Sequence, residues 1–285
     1  MPLLWSLQDA KAAGVAFGAT INDVITAAVA QALTELLLEE GDSGENSGPV
    51  TSNLASEGDG EDVAGTDETM DYCVTCLESC CKPWACCGDE VRMLAVVNRR
   101  PRTAMDQQLE SYRQVDRDNT NEFAFITINL PVGPLPLRDG STEVEERVKA
   151  CKAMMDKLKS RPEPWVIYQL SRLLRNTLGS WGYVVFALFN LRKASGYLSN
   201  LPGPRKPITI AGQQIVSMYN CVVPTCFGLG ISILSYNGQI RLACSGDGSI
   251  MPRERVLNLL GKCDKAFNEI CAAGRAQVGK SPKAE

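Results

Sequence analysis

The sequence predicts an α+β domain, because helical and strand-like patterns alternate along it. Apolar residues repeat with the period of a helix near both ends of the chain, from Thr20 onward and again over 253–272. Asn237-Gly238 separates two segments in which apolar and polar residues alternate, the pattern of a two-residue β-hairpin. Helices before, between and after paired strands favour a mostly antiparallel or mixed sheet with helices packed on it.

The first helix has a well-marked start. Thr20 is the predicted N-cap, and Asp23 places a carboxylate in the first turn, beside the positive end of the helix dipole. Apolar residues follow at helical spacing: Ile21, Val24, Ile25, Ala28, Val29, Ala32, Leu33, Leu36 and Leu37. This spacing predicts a helix packed on a core.

The rest of the domain is predicted from similar patterns. A helix after Ser141 and Thr142 carries glutamates in its first turn and lysines toward its end, which complements the helix dipole. The other predicted elements are strands over 91–98 and 123–130, one or two helices over 165–191 broken near Gly179 and Gly182, β-prone runs over 208–210 and 214–219, and the closing helix. The expected folded domain is 1–38 with 90–275, followed by a flexible tail over 276–285.

Residues 39–72 are predicted to form an acidic disordered insertion. From Glu39 to Asp71 the chain has eleven Asp and Glu and no Lys or Arg, with few large apolar side chains to offset an ordering cost of about 1–2 kcal/mol per residue. Without this segment the net charge of −4 becomes +7. Such a basic body suits a solvated surface, a phosphate-bearing ligand or an anionic membrane. No nucleic-acid-binding motif occurs, so we expect no nucleic-acid partner.

Residues 73–88 form a cysteine-rich insertion. Cys73, Cys76, Cys86 and Cys87 supply enough thiolates for a tetrahedral zinc site that needs no histidine, although two vicinal cysteine pairs fit the usual spacing of such sites poorly. S-acylation of these cysteines as a membrane anchor is a second interpretation. A variable insertion with free thiols is the third. No cofactor other than this possible zinc is expected.

The chain contains no histidine. Histidine is the side chain best suited to proton transfer near neutral pH, so this chain alone cannot host a Ser-His-Asp or Cys-His site. Residues 1–11 lack a basic segment followed by a long apolar stretch, which argues against a secretory signal. The longest nearly apolar run, Trp181 to Leu191, is shorter than the roughly 18–20 residues that span a bilayer. We expect no transmembrane helix.

Two short motifs carry the functional interpretation. The first is the helix start that contains Asn22 and Asp23. The second contains Ser199, Asn200, Pro202 and Gly203, which are predicted to form a rigid turn. In isolation, each has an ordinary structural interpretation, as a capped helix and as a loop before a strand.

Taken together, these motifs resemble the wax ester synthase/diacylglycerol acyltransferase family, in its C-terminal domain. The resemblance covers about 1–38 and 90–272. The residues that carry it are Gly18-Ala19-Thr20-Ile21-Asn22-Asp23-Val24, Ser199-Asn200-Leu201-Pro202-Gly203-Pro204 followed by Ile210-Ala211-Gly212, Gly228-Leu229, Ser235-Tyr236-Asn237-Gly238, and Asp247, Ile250 and Pro252.

The resemblance implies one half of a two-domain fold similar to chloramphenicol acetyltransferase, with an active-site tunnel between the halves. It also implies transfer of a fatty acyl group from acyl-CoA to a diacylglycerol or a long-chain alcohol, at the cytoplasmic side of the endoplasmic reticulum or plasma membrane as a peripheral protein. Asn22 and Asp23 would support the active site. Ser199, Asn200, Pro202 and Gly203 would line the tunnel wall.

The sequence departs from the family at the catalytic motif. The family's His-His-x-x-x-Asp-Gly lies in the N-terminal half, and no counterpart occurs here, so no catalytic residue is assigned and we expect the chain alone to be inactive. Either it is part of a longer enzyme or it pairs with a His-bearing half. The alternative is a non-catalytic lipid-binding or scaffold protein. Basic residues that could meet the phosphates of CoA are Arg99, Arg100 and Arg102, or Arg205 and Lys206.

Overall fold

The structure is a computed structural model that describes residues 2–43, 90–98, 123–138, 140–191, 194–204, 206–222 and 228–280. Its helices are α1 (Leu7–Ala16), α2 (Ile21–Ser43), α3 (Glu143–Ser160), α4 (Glu163–Leu191) and α5 (Arg253–Lys280). Its strands are β1 (Leu3–Ser6), β2 (Glu90–Asn98), β3 (Phe123–Pro131), β4 (Gly196–Pro202), β5 (Thr209–Ile210), β6 (Gln213–Gln214), β7 (Leu229–Tyr236) and β8 (Gln239–Gly246). The predicted cysteine-rich insertion lies outside the described residues.

Six strands form one mixed sheet in the order β1-β8-β7-β4-β2-β3. β4 runs parallel to both β2 and β7, and the other neighbours are antiparallel. β7 and β8 form the predicted hairpin at Asn237-Gly238, where both residues have positive φ. The α+β class and the mixed sheet are therefore confirmed.

The main core lies between one face of the sheet and helices α1, α2, α3 and α5. α2 is the central helix: Val24, Val29 and Leu33 are fully buried, and α2 packs closely on α5. Trp5 of β1 stacks on Phe267 of α5 with ring centroids 4.2 Å apart, and its indole nitrogen donates to Asp264 at 2.9 Å. The two ends of the described chain are thereby fixed to each other.

α2 is also the one helix of the described chain that is long and apolar enough, over Ile21–Glu39, to span a bilayer. Within the fold, however, 67% of that window is buried. Its apolar side chains meet the sheet and α5 rather than solvent. This is how a core helix of a globular domain behaves.

Four features differ from the sequence prediction. β1 and α1 were not predicted, because β1 has only four residues and acquires its strand character by pairing with β8. The predicted rigid turn over 198–204 is wrong in its first part, since residues as far as Pro202 continue strand β4 beside β7. Of the β-prone run over 214–219, only Gln214 belongs to a strand.

The opposite face of the sheet is only partly covered. Tyr197 and Leu94 form a small apolar cluster there, with Phe125 packed against them. Leu201 on the same face is largely exposed. α4 lies against the edge strand β3, and it changes direction at Gly179, where φ is 62° and the predicted break is confirmed.

Candidate functional site

Asp23 closes the first turn of α2. Its Oδ2 accepts hydrogen bonds from the Thr20 backbone nitrogen at 2.7 Å and from the Thr20 hydroxyl at 2.8 Å. The side chain is fully buried, and Oδ1 has no hydrogen-bond partner among the described residues. Gly18, with φ of 61°, makes the reversal from α1 that this cap requires. A carboxylate in this setting positions the start of a helix and does not reach solvent.

A buried cysteine lies beside this carboxylate. Burial is the main cause that raises the pKa of Cys151 to about 12, and this value already includes an opposing effect of Arg147 and a smaller raising effect of Asp23. The thiol is therefore neutral near physiological pH. Because the thiolate is the nucleophile, Cys151 is a packing residue and not a reactive one.

Asn22 and Asn200 meet although 178 positions separate them along the chain. The Asn200 side-chain nitrogen donates to the Asn22 side-chain oxygen at 3.0 Å. Asn22 is exposed at the first turn of α2, and Asn200 is half-buried near the end of β4. The structure thus joins the two motifs predicted from the sequence. In the described chain, the Asn22 amide nitrogen and the Asn200 carbonyl oxygen have no further partner, so they can bind a polar group of a ligand.

Ser199 lies on the other face of β4. Side chains alternate along a strand, so Ser199 shares a face with Tyr197 and stands in register with Ser232 of β7. Ser199 and Ser232 are both buried. Ser199 and Asn200 therefore point to opposite faces of the sheet, and the predicted tunnel-wall residues do not form one continuous surface.

Gly203 follows the strand at a point of very close backbone approach. Its nitrogen donates to the Ser235 hydroxyl at 3.3 Å, and a Cβ built on Gly203 would lie 2.1 Å from the Ser235 carbonyl oxygen. Only glycine fits there. Pro202, paired with Ser235 in register, is exposed. Together they hold the end of β4 against β7 beside the Asn22–Asn200 pair.

A polar cluster on the open face of the sheet was not predicted. The Tyr197 hydroxyl contacts the Val222 carbonyl and lies 3.3 Å from the Ser232 hydroxyl. The Ser245 hydroxyl donates to the same carbonyl at 2.7 Å. Burial raises the pKa of Tyr197, which keeps the phenol protonated as a donor. The cluster fixes the segment around Val222 across three strands. Its sequence signal is the alternation of Tyr197 with Ser199, which the predicted turn over 198–204 obscures.

The remaining predicted site residues are only partly described. Lys206 is exposed. Cys73, Cys76, Cys86 and Cys87, the arginines 99, 100 and 102, and Arg205 lie outside the described residues. Among the residues that the structure does describe, no group of three or more His, Cys, Asp or Glu side chains could hold a metal ion.

A family comparison decides how these motifs are interpreted. Residues 120–271 match the model of the WS/DGAT C-terminal domain, which is more than half of the chain. The chain belongs to this family. The match contains the strand that bears Asn200, whereas Asn22 lies before it. A search of curated proteins finds no match.

Solved structures similar to this WS/DGAT-family chain share little sequence with it. The wax ester synthase/diacylglycerol acyltransferase from Marinobacter aquaeolei VT8 is 16% identical, with a TM-score of 0.49 over 96% of this chain and 48% of that one. The epimerization domain from the third module of tyrocidine synthetase B is 11% identical, with a TM-score of 0.49 over 97% and 48%. The first condensation domain of the CDA synthetase is 13% identical, with a TM-score of 0.43 over 98% and 47%. The chain spans about half the length of each.

Proposed function

We propose that this chain is the C-terminal portion of an acyl-CoA-dependent O-acyltransferase of the diacylglycerol acyltransferase or wax ester synthase type. Membership of the WS/DGAT family supplies the acyltransferase class. The supporting observation from the fold is the hydrogen bond between Asn22 and Asn200, which brings together the two motifs that carry the resemblance. The products would be triacylglycerol or wax ester.

The proposed reaction is a direct transfer to an alcohol. The hydroxyl oxygen of a diacylglycerol or a long-chain alcohol bonds to the thioester carbonyl carbon of acyl-CoA, and the carbon–sulfur bond breaks. A general base accepts the hydroxyl proton, and the CoA thiolate departs and is protonated. General-base catalysis contributes about 10² to 10⁴ in rate. This chain contains no histidine, so a His-bearing N-terminal half is the proposed source of the base.

The asparagine pair would brace the site between the two halves. Asn22 and Asn200 fix the start of α2 to the end of β4, while Asp23 fixes the first turn from inside. Their free amide groups would hold a polar part of the substrate or of the partner half. Pro202 and Gly203 would shape the neighbouring wall, whereas Ser199 lies on the opposite face of the sheet. Lys206 is a candidate contact for a CoA phosphate.

Lipid substrates imply a membrane partner. Diacylglycerols and long-chain alcohols reside in bilayers, so the proposed enzyme works as a peripheral protein on the cytoplasmic side of the endoplasmic reticulum or plasma membrane. The zinc site proposed for Cys73, Cys76, Cys86 and Cys87 is separate from this reaction. Elemental analysis of the reduced, purified protein tests it, and clearly less than one zinc per chain would exclude it.

The decisive experiment co-expresses the chain with a His-bearing N-terminal half of the family and measures triacylglycerol and wax ester formation. We expect Asn22→Ala and Asn200→Ala each to lower the rate at least tenfold. The double variant should be no worse than either single one, because the two residues act as one pair. Asn268→Ala, an exposed helix asparagine bonded only to Asp264, is the matched control and should keep full activity.

Three outcomes would contradict this proposal. Ester formation by the isolated chain would show that no second half is needed. Full activity of both single variants would remove the assigned role of the pair. No activity with a well-folded complex would favour the alternative, a non-catalytic lipid-binding or scaffold protein.

A further inference from the structure

Helix α4 presents an unusually apolar outer face. In its first half, Trp165, Val166, Leu170 and Leu173 lie on the exposed side. Beyond the bend at Gly179, Trp181, Val184, Val185 and Leu188 form an exposed apolar face of the second half, at the spacing i, i+3, i+4 and i+7. Trp181 is 80% exposed, and Leu178 and Val185 are each more than 60% exposed. Isolated exposed apolar residues are ordinary, but exposed apolar faces on both halves of one helix mark an interaction surface.

The charges of α4 are all of one sign beyond its first residue. From Pro164 to Leu191 the charged residues are Arg172 and Arg175, and both are exposed. On a helical wheel with 100° per residue, the two arginines lie to one side of the apolar stripe of the first half. An interfacial helix on an anionic bilayer has this arrangement, with large apolar and aromatic side chains on one face and cations beside them.

The start of α4 also combines exposed apolar surface with neighbouring cations. An open hollow beside Trp165 is lined by apolar atoms of Val97 and Leu158, with Lys159 and Arg161 among its lining residues. These two cations form only long ion pairs: the Asp156 carboxylate lies 3.6 Å from the Lys159 nitrogen, and the Glu163 carboxylate lies 3.9 Å from the Arg161 guanidinium. Exposed pairs of this length contribute little, so both cations are available to a phosphate group.

We infer that the exposed face of α4 lies in the surface of a membrane that contains anionic phospholipid. The apolar stripe enters the boundary between headgroups and acyl chains, and Arg172 and Arg175 contact lipid phosphates. Tryptophan favours this boundary because its ring is apolar and its indole N–H needs a polar partner. The inference rests on the proposed function only for the expectation of a membrane partner, and it assigns that contact to one helix.

Vesicle flotation with the full chain tests this assignment. We expect binding to vesicles of phosphatidylcholine with 30% phosphatidylserine, and at least fivefold weaker binding to phosphatidylcholine alone. Trp181→Ser with Val185→Ser should lower the affinity for the mixed vesicles at least tenfold. Arg172→Gln with Arg175→Gln should remove most of the preference for the anionic lipid. Leu257→Ser with Val278→Ser changes two exposed apolar residues of α5 and is the matched control, with unchanged binding.

Circular dichroism and the urea midpoint establish whether each variant is folded. If the variant with Trp181→Ser and Val185→Ser does not fold, the variant with Arg172→Gln and Arg175→Gln tests the inference independently. Absence of binding to either vesicle, or equal binding by the α4 and α5 variants, would overturn the inference. A dimer of the chain that dissociates in the α4 variant while vesicle binding persists would also overturn it, because a second copy would then cover the helix. Binding needs no acyl transfer, so its failure is distinguishable from failure of the proposed reaction.

Discussion

Helices α2 and α4 are both long and apolar, but most of α2 is buried whereas much of α4 is exposed. α2 has most of its residues buried between the sheet and α5, whereas α4 packs on the edge strand β3 and leaves its largest apolar side chains in solvent. The difference lies in the partners that the fold offers and not in hydrophobicity. An apolar helical pattern predicts an apolar partner, but it does not identify that partner as a protein core, a bilayer or another chain.

Side-chain size explains part of this difference. α2 has alanines at positions 27, 28, 30 and 32, all fully buried, and these small residues let the helix approach its neighbours closely on several sides. α4 instead has tryptophan, leucine and valine on its outward face. These larger side chains are exposed on the side of α4 that the described chain does not cover.

Matched leucine truncations test the comparison most strongly. Leu33 of α2 is fully buried, so Leu33→Ala should lower the free energy of unfolding by about 2–5 kcal/mol through lost burial and a residual cavity. Leu178 of α4 is 62% exposed, and Leu178→Ala should change it by less than about 0.5 kcal/mol. Urea denaturation with an unchanged m-value measures both. Similar losses for the two variants would mean that α4 is packed in the folded protein.

The helix starts offer a second, smaller contrast. Asp23 caps α2 from a buried position, whereas Glu163 in the first turn of α4 is about half exposed. Asp23→Ala should cost about 0.5–2 kcal/mol of stability, the range for loss of a cap, and Asp23→Asn should cost less because it retains an acceptor for Thr20. Glu163→Ala is the control and should have little effect. A larger loss for Asp23→Asn than for Asp23→Ala would show that the cap hydrogen bonds are not what Asp23 contributes.

Local signals in the sequence predicted local structure well. The cap at Thr20, the hairpin at Asn237-Gly238 and the break at Gly179 each depend on residues adjacent in the chain, and the structure confirms them. Thr142 likewise caps α3 as expected, accepting from the Glu145 nitrogen at 3.3 Å. Turn and cap chemistry acts over three or four residues, which is why it can be recognised without a structure.

Features that depend on distant partners were missed. The register of β1 is set by β8, more than 230 positions away, and the bond between Asn22 and Asn200 spans 178 positions. Arg147 is fully buried although it is charged, because Gln31, the Pro131 carbonyl and Glu143 accept its hydrogen bonds from three different segments. No local pattern in the sequence indicates that a guanidinium will find such partners.

The smallest expected effect concerns the far end of α2, where Glu39 contacts α5. Hydrogen bonds from Lys262 and Asn258 hold the pKa of Glu39 below its ordinary value. A carboxylate with a lowered pKa in the folded state stabilises the fold above its unfolded-state pKa, and this contribution is lost as the pH falls through the folded-state value. Glu39→Gln should therefore lower the urea midpoint slightly at pH 6, and the gap between the two proteins should narrow as the pH falls below the ordinary glutamate pKa of about 4.3. Glu163→Gln on α4 is the control for the removal of an exposed carboxylate. A gap for Glu39→Gln that stays constant over this fall in pH would mean that packing, and not charge, joins the ends of α2 and α5.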